Sequence, residues 1–225
     1  MTSIVKQFQY PELSRTSNGS RRYIVGEKRL PSVTTILDAC TDKTWLIEWK
    51  KRVGEDEAKR ISTESSNIGT LVHSCLEDYI TKKPSQSKNN LVHQLANKMA
   101  NAIIEHGLKH IPVVWGVEAK LYYEDLYAGT TDLVGLWKNK PAIIDFKTTK
   151  NKKTKKDIQH YFLQGVAYAH AHNQMFDTHI ETVVILMADR EAKYFCFETE
   201  PGEFERYSDI WNNYLCQYYK LNIDA

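Results

Sequence analysis

Ala142-Ile143-Ile144-Asp145-Phe146-Lys147-Thr148-Thr149-Lys150 is the stretch whose reading decides the fold. A short apolar run with β-branched residues, closed off by polar ones, carries the signature of a buried strand. Side chains alternate faces along a strand, so Asp145 and Lys147 share one face while Ile144 and Phe146 share the other. Upstream, Leu126–Trp137 alternates well enough to be the neighbouring strand. Lys138-Asn139-Lys140-Pro141 reads as the hairpin turn between the two. Folding the hairpin back brings Asp132 towards Asp145.

Two carboxylates and a lysine converging at one strand end are the groups that metal-assisted phosphodiester cleavage needs. The acids hold a hard divalent cation, and the amine attends to the attacking water. An Asp-x-Lys tripeptide alone is common by chance, so the rest of the chain has to supply the context.

Working outward, Pro112–Tyr123 is a third strand candidate, and Asp157 to about His172 reads as a helix. Thr182–Ala188 and Lys193–Thr199 form a hairpin around Asp189-Arg190-Glu191, and Phe204–Leu221 closes the chain as a Tyr-rich amphipathic helix. Towards the N-terminus, Leu91–Gly107 is helical. Ser66 or Asn67 is a candidate cap for a helix from Ile68 to about Ile80. Thr44–Ile61 places Trp45, Trp49 and Val53 at helical spacing beside Lys50, Lys51 and Arg52. Pro31–Leu37 opens a helix with Ser32 as N-cap, Arg22–Gly26 is a short strand, and 14–20 and 84–90 are loops. The order implies an α/β fold with a mixed sheet. Residues 1–66 are expected to form an N-terminal hairpin and helical arm, and residues 67–225 the core.

Composition is that of an ordinary globular chain: 225 residues, 42% hydrophobic and 26% charged. No stretch approaches the ~18 to 20 apolar residues of a membrane span, so no membrane partner is expected. Met1–Gln7 lacks the apolar region of a secretory signal, and no transit peptide is evident. A cytoplasmic location is expected, that of the host if the chain is viral. The net charge of +2 does not announce a nucleic-acid binder, but its distribution is uneven. Lys147, Lys150, Lys152, Lys153, Lys155 and Lys156 crowd the residues at and after the acidic site, where a polyanion would gain from them. Cys40, Cys75, Cys196 and Cys216 are far apart with no CxxC pair, which speaks against zinc or an iron–sulfur cluster.

Several pieces then fall in a fixed order: Gly69-Thr70-Leu71-Val72-His73, Glu118, Gly129-Thr130-Thr131-Asp132, Asp145-Phe146-Lys147, and Gln164-Gly165-Val166-Ala167-Tyr168. This set resembles the RecB-type branch of the PD-(D/E)XK nuclease superfamily, with its G-x-x-x-H, E, G-x-x-D, D-x-K and Q-x-x-x-Y elements. Within that branch, Leu30–Leu37 followed by Trp45 and Trp49-Lys50-Lys51-Arg52 is similar to the mitochondrial genome maintenance exonucleases and their phage relatives.

The resemblance implies a restriction-endonuclease-like core of mixed sheet flanked by helices. It implies that His73, Asp132, Asp145 and the Phe146 carbonyl hold Mg²⁺ or Mn²⁺. Lys147 orients or deprotonates the water, with an electrostatic role preferred because a lysine titrates near 10.4 unless perturbed. Glu118 lines the site and holds Lys147 or a water. Gln164 and Tyr168, four apart and so on one helical face, contact DNA beside the scissile phosphate. Trp45, Trp49, Lys50 and Arg52, with Lys150, Lys152 and Lys153, form an aromatic and basic channel suited to single strands. The expected activity is exonucleolytic cleavage of DNA with single-stranded ends, and replication or recombination proteins are candidate partners. A flap or structure-specific endonuclease of the same fold is the alternative, and a non-catalytic DNA-binding module the remoter one. Each residue also has a bland reading. A carboxylate near a turn, a helix-borne histidine and tryptophans at i and i+4 are more often surface or packing residues.

Overall fold

The stretch quoted first is the middle of the main sheet. A computed structural model describes residues 2–16, 20–84 and 90–223. The strands are β1 (Ser3–Ile4), β2 (Ser14–Thr16), β3 (Arg22–Val25), β4 (Lys28–Pro31), β5 (Val113–Tyr123), β6 (Tyr127–Trp137), β7 (Lys140–Thr149), β8 (Thr182–Asp189) and β9 (Tyr194–Glu198). The helices are α1 (Val33–Cys40), α2 (Thr44–Val53), α3 (Glu55–Thr81), α4 (Leu91–His106), α5 (Gln159–Phe176) and α6 (Glu203–Ile223).

The main sheet runs β1-β5-β6-β7-β8-β9. Strands β5, β6 and β7 are an antiparallel meander. The β6–β7 turn is tight because Lys138 and Asn139 both take positive φ, 48° and 67°, as a two-residue turn of matching twist requires. Helix α5 carries the chain from β7 to β8, which pairs with β7 in parallel, and β9 returns antiparallel. The result is a mixed α/β sheet flanked by helices, as the element order implies.

Alternation along β7 divides its side chains between two cores. Ile143 joins Val166, Phe162 and Trp211 on the face covered by α1, α5 and α6. Ile144 and Phe146 join Val72, Leu76, Met99 and Ile103 on the face covered by α3 and α4. Helix α5 lies unusually close to the sheet, and Gly165 explains it: any Cβ there would run into the Val183 side chain on β8.

The N-terminal third departs from its expected layout. Ser14–Thr16, expected as loop, is a strand, and β2-β3-β4 form a separate antiparallel sheet. Residues 17–19 of that expected loop, and 85–89 of the one over 84–90, lie outside the described residues. Ser32 does cap α1, accepting from the Thr35 amide at 3.0 Å. The single helix expected over 44–61 is instead two, broken at Gly54, whose φ of 88° suits glycine. The second, α3, then runs unbroken to Thr81, so Ser66 and Asn67 are interior rather than capping. Residue 66, the expected boundary between arm and core, therefore falls within one helix. Serine and asparagine are tolerated there because the apolar stripe Ile68, Val72, Leu76 and Ile80 continues to pack beneath them.

Candidate active site

A cleft of about 550 Å³ opens where β5 and β6 meet α3, α5 and the small sheet. His73, Glu118, Asp132, Lys147, Gln164 and Tyr168 all line it. Asp145 lies beneath them, 2% exposed. These residues come from five elements, α3, β5, β6, β7 and α5, separated by up to about a hundred positions, and the fold brings them together.

The β5–β6 register sets Glu118 against Asp132. Val117 pairs with Leu133 and Ala119 with Thr131, so the two acids face each other across β5 and β6. Glu118 does so from a left-handed backbone, φ 49°, unusual for any side chain and more so inside a strand. Asp132 is held twice: its Oδ2 accepts from the Phe146 amide at 2.7 Å, and its Oδ1 lies 3.3 Å from His73 Nδ1. On β7 the Lys147 ammonium rests directly against Asp145 and also sits 4.8 Å from the centre of the Tyr161 ring.

The charges shape one another. Burial alone would raise Asp132, but the His73 hydrogen bond and charge, then Lys147, hold it below the usual carboxylate range. Burial pushes Asp145 up, with Lys147 opposing and the Asp132 charge adding to the rise. Desolvation and the neighbouring Asp132 charge lift Glu118 to about 7. Burial would depress Lys147, yet the Asp145 and Asp132 charges outweigh it and keep the amine protonated. His73 is likewise raised, because Asp132 outweighs its desolvation.

Like charges directly opposite on neighbouring strands are destabilising unless a proton or a cation intervenes. Glu118 and Asp132 are such a pair, and His73 completes a group whose ligand atoms lie within 4.8 Å of one another. Carboxylate oxygens with one imidazole suit a hard or borderline divalent ion. Of the expected ligands, His73 and Asp132 belong to this group, and Asp145 and Phe146 lie next to it on β7. Glu118 joins His73 and Asp132 as a third ligand candidate, Asp145 contacts Lys147, and the Phe146 amide donates to Asp132.

On α5, Gln164 donates to the Tyr168 hydroxyl at 3.3 Å. Tyr168 is buried and its ring lies over Gly129, where a Cβ would come within 2.6 Å of it. That is why glycine precedes Thr130-Thr131-Asp132. Farther out, Trp45, Trp49, Lys50 and Arg52 of the expected channel all lie on α2. Trp45 borders a neighbouring cavity, and Lys50 faces Glu55 and Lys59. Lys150, Lys152 and Lys153 are exposed just beyond β7. Lys155 is not free for a ligand, since it pairs with Glu200 at 3.2 Å and also contacts Glu203.

The small sheet adds three residues that the sequence did not flag. Arg15, Arg21 and Tyr23 wall the cleft, and the Tyr23 hydroxyl lies 3.1 Å from Thr130 Oγ1. Among the described residues neither arginine forms an ion pair. The one local hint was the Arg22–Gly26 strand, which says nothing about where it docks.

No protein-family profile matches the chain. It is 29% identical over 176 residues to human mitochondrial genome maintenance exonuclease 1, a match covering 72% of this chain and 50% of that protein. The matched part thus spans half the length of this relative. In structure the chain resembles a protein from Eubacterium rectale whose assignment as an exonuclease is itself provisional. The TM-score is 0.52 at 14% identity, over 70% of this chain and 66% of the other, a likeness of fold.

Proposed function

We propose that this chain is a divalent-metal-dependent deoxyribonuclease of the RecB-type branch of the PD-(D/E)XK superfamily. In this reading it is an exonuclease that shortens single-stranded DNA from a free end by in-line attack of water on phosphorus. The observation that carries the reading is the cross-strand pair Glu118–Asp132, with His73 beside it and the Asp145–Lys147 pair alongside, at one cleft. The 29% identity to a human exonuclease supports the nuclease class.

His73, Glu118 and Asp132 hold Mg²⁺ or Mn²⁺, with Asp145 and the Phe146 carbonyl available as further ligands. A bound divalent cation lowers the pKa of its water and stabilises charge on the phosphoryl oxygens. Asp132 needs little reorganisation to serve, because His73 and the Phe146 amide already fix both its oxygens. Lys147, kept as an ammonium by two aspartates, orients the water and offsets charge on the pentacovalent phosphate, and does not act as the base. Gln164 and Tyr168 approach the phosphate neighbouring the cut from one face of α5. Arg15 and Arg21 engage phosphates from the opposite wall, where their planar donors match phosphate geometry. Residues 1–66 serve as the arm. Helix α2, carrying Trp49, Lys50 and Arg52, and the exposed Lys150, Lys152 and Lys153 attract the strand, and a closed path past them admits only a free end.

The test is cleavage of matched linear and circular single-stranded DNA in Mg²⁺ or Mn²⁺, with Asp132→Ala as control. Loss of the linear strand alone, abolished in the variant, is the expected result. Cutting of the circle would make the protein an endonuclease of the same fold. Binding in chelator without cleavage of either DNA in metal would leave only a binding module.

A further inference from the structure

A second cavity, of about 430 Å³, adjoins the cleft, and the two share Thr34 and Gln164 as their common wall. It lies between α1, the start of α2 and the start of α5. Its aromatic residues come from both sides: Trp45 from α2, and His160 and Tyr161 from α5. Trp45 is 65% exposed, so its indole stands open to solvent. His160 and Tyr161 are packed together with ring centres 3.9 Å apart. Tyr161 also lies under the Lys147 ammonium, one side chain from the proposed chemistry.

The charges of this cavity differ from those of the cleft. Asp38, Asp42 and Asp157 line it, and its one lysine, Lys43, is paired with Asp38 at 2.8 Å. Asp42 and Asp157 are engaged in capping Thr44 and Thr154. Such a rim repels phosphate and leaves flat, uncharged surface as its attraction. Desolvation and the charges of Lys147 and Lys153 hold His160 down at about 4, so its ring is neutral at pH 7 and adds no pull on phosphate.

We propose that this cavity is a nucleobase subsite, in which an unstacked base of the bound single strand lies against Trp45 and the His160–Tyr161 pair while its phosphate stays in the adjoining cleft. The inference rests on the nuclease reading for the position of the phosphate, and it adds that the protein reads the presence of a base. Stacking on an aromatic side chain is sequence-tolerant, so no preference among bases is implied.

The experiment compares the full chain and Trp45→Ala for binding, in chelator, to an oligothymidylate and to an abasic deoxyribose–phosphate strand of the same length. Trp45 is exposed, and the variant is expected to fold normally. Wild type should prefer the oligothymidylate by about tenfold, as one stacked base provides. Trp45→Ala should lose that preference while binding the abasic strand unchanged, and Trp45→Phe should keep it. Equal binding of both strands by wild type, or an equal loss on both in Trp45→Ala, would overturn the subsite. The two readings fail separately. Cleavage in metal without a base preference removes the subsite alone. A base preference without cleavage removes the nuclease reading and leaves a single-strand-binding groove.

Discussion

Helices α5 and α2 both carry residues proposed to meet the substrate, and they are built in opposite ways. Nine of the eighteen residues of α5 are buried, and Gly165 lets it press onto β8. None of the ten residues of α2 is buried. Helix α5 positions Gln164 and Tyr168 against a strand end where fractions of an ångström matter. Helix α2 offers indoles and cations to a polymer that arrives in many conformations, and nothing is gained by locking them. Packing density thus separates the part of the molecule that fixes geometry from the part that gathers substrate.

That contrast can be broken at several points. The largest effect belongs to the fixed centre: Lys147→Ala should lower the cleavage rate by about 10²-fold or more, the scale of one transition-state charge donor. A single-turnover assay that finds only a few-fold loss would make Lys147 a structural partner of Asp145.

Next comes acid. His172 on α5 is fully buried among Phe8, Tyr10, Trp115 and Phe176, and burial holds it down at about 4. The unfolded chain takes up its proton near 6.5, so stability is fully present above that pH and is lost as pH falls towards 4. The linkage amounts to about 3 kcal/mol at most. Thermal melts from pH 7 to 4 should show this slope. His172→Gln should reduce it, leaving the share of His160, which burial also holds down at about 4.

Gly165→Ala should destabilise by about 2 kcal/mol through overpacking against Val183. Combining it with Val183→Ala should recover part of the loss. Smallest of all, Trp49→Ala and Arg52→Ala should each change stability by less than about 0.5 kcal/mol while weakening single-strand binding. Melting shifts as large as that of Gly165→Ala would show that α2 is packed in solution after all.

The sequence was most readable where signals are local. Alternation along β5–β7, the Lys138-Asn139 turn and the i,i+4 pairing of Gln164 with Tyr168 all lie within short windows, and their geometry follows from periodicity. Ser32 as a cap was equally local. What stayed hidden depends on distance along the chain. Glu118 becomes the partner of Asp132 only through the Val117–Leu133 register and a left-handed φ. Arg15 and Arg21 reach the cleft because a three-stranded sheet docks there, and strands of three or four residues carry too little pattern to announce that. Lys155 looked like one more free cation until the start of α6 folded against it. Gly54 rather than Ser66 sets the start of the long helix, since an unbroken apolar stripe outweighs two residues of weak helix propensity.

One small element bears on a matter apart from catalysis. Strand β1 is two residues long, yet it lies parallel to β5 on the outer side of the main sheet, with Ser3 beside Val113 and Ile4 beside Val114. At the far side, β9 is only five residues long and ends in Glu198, which pairs with Lys138. Exposed sheet edges are templates for self-association, and short, charged or covered ones discourage it. Residues 3 and 4 therefore shorten the free edge of β5 by its first two residues only. It is the brevity of β1 and β9, with the charge at the end of β9, that leaves little flat strand for another copy to extend.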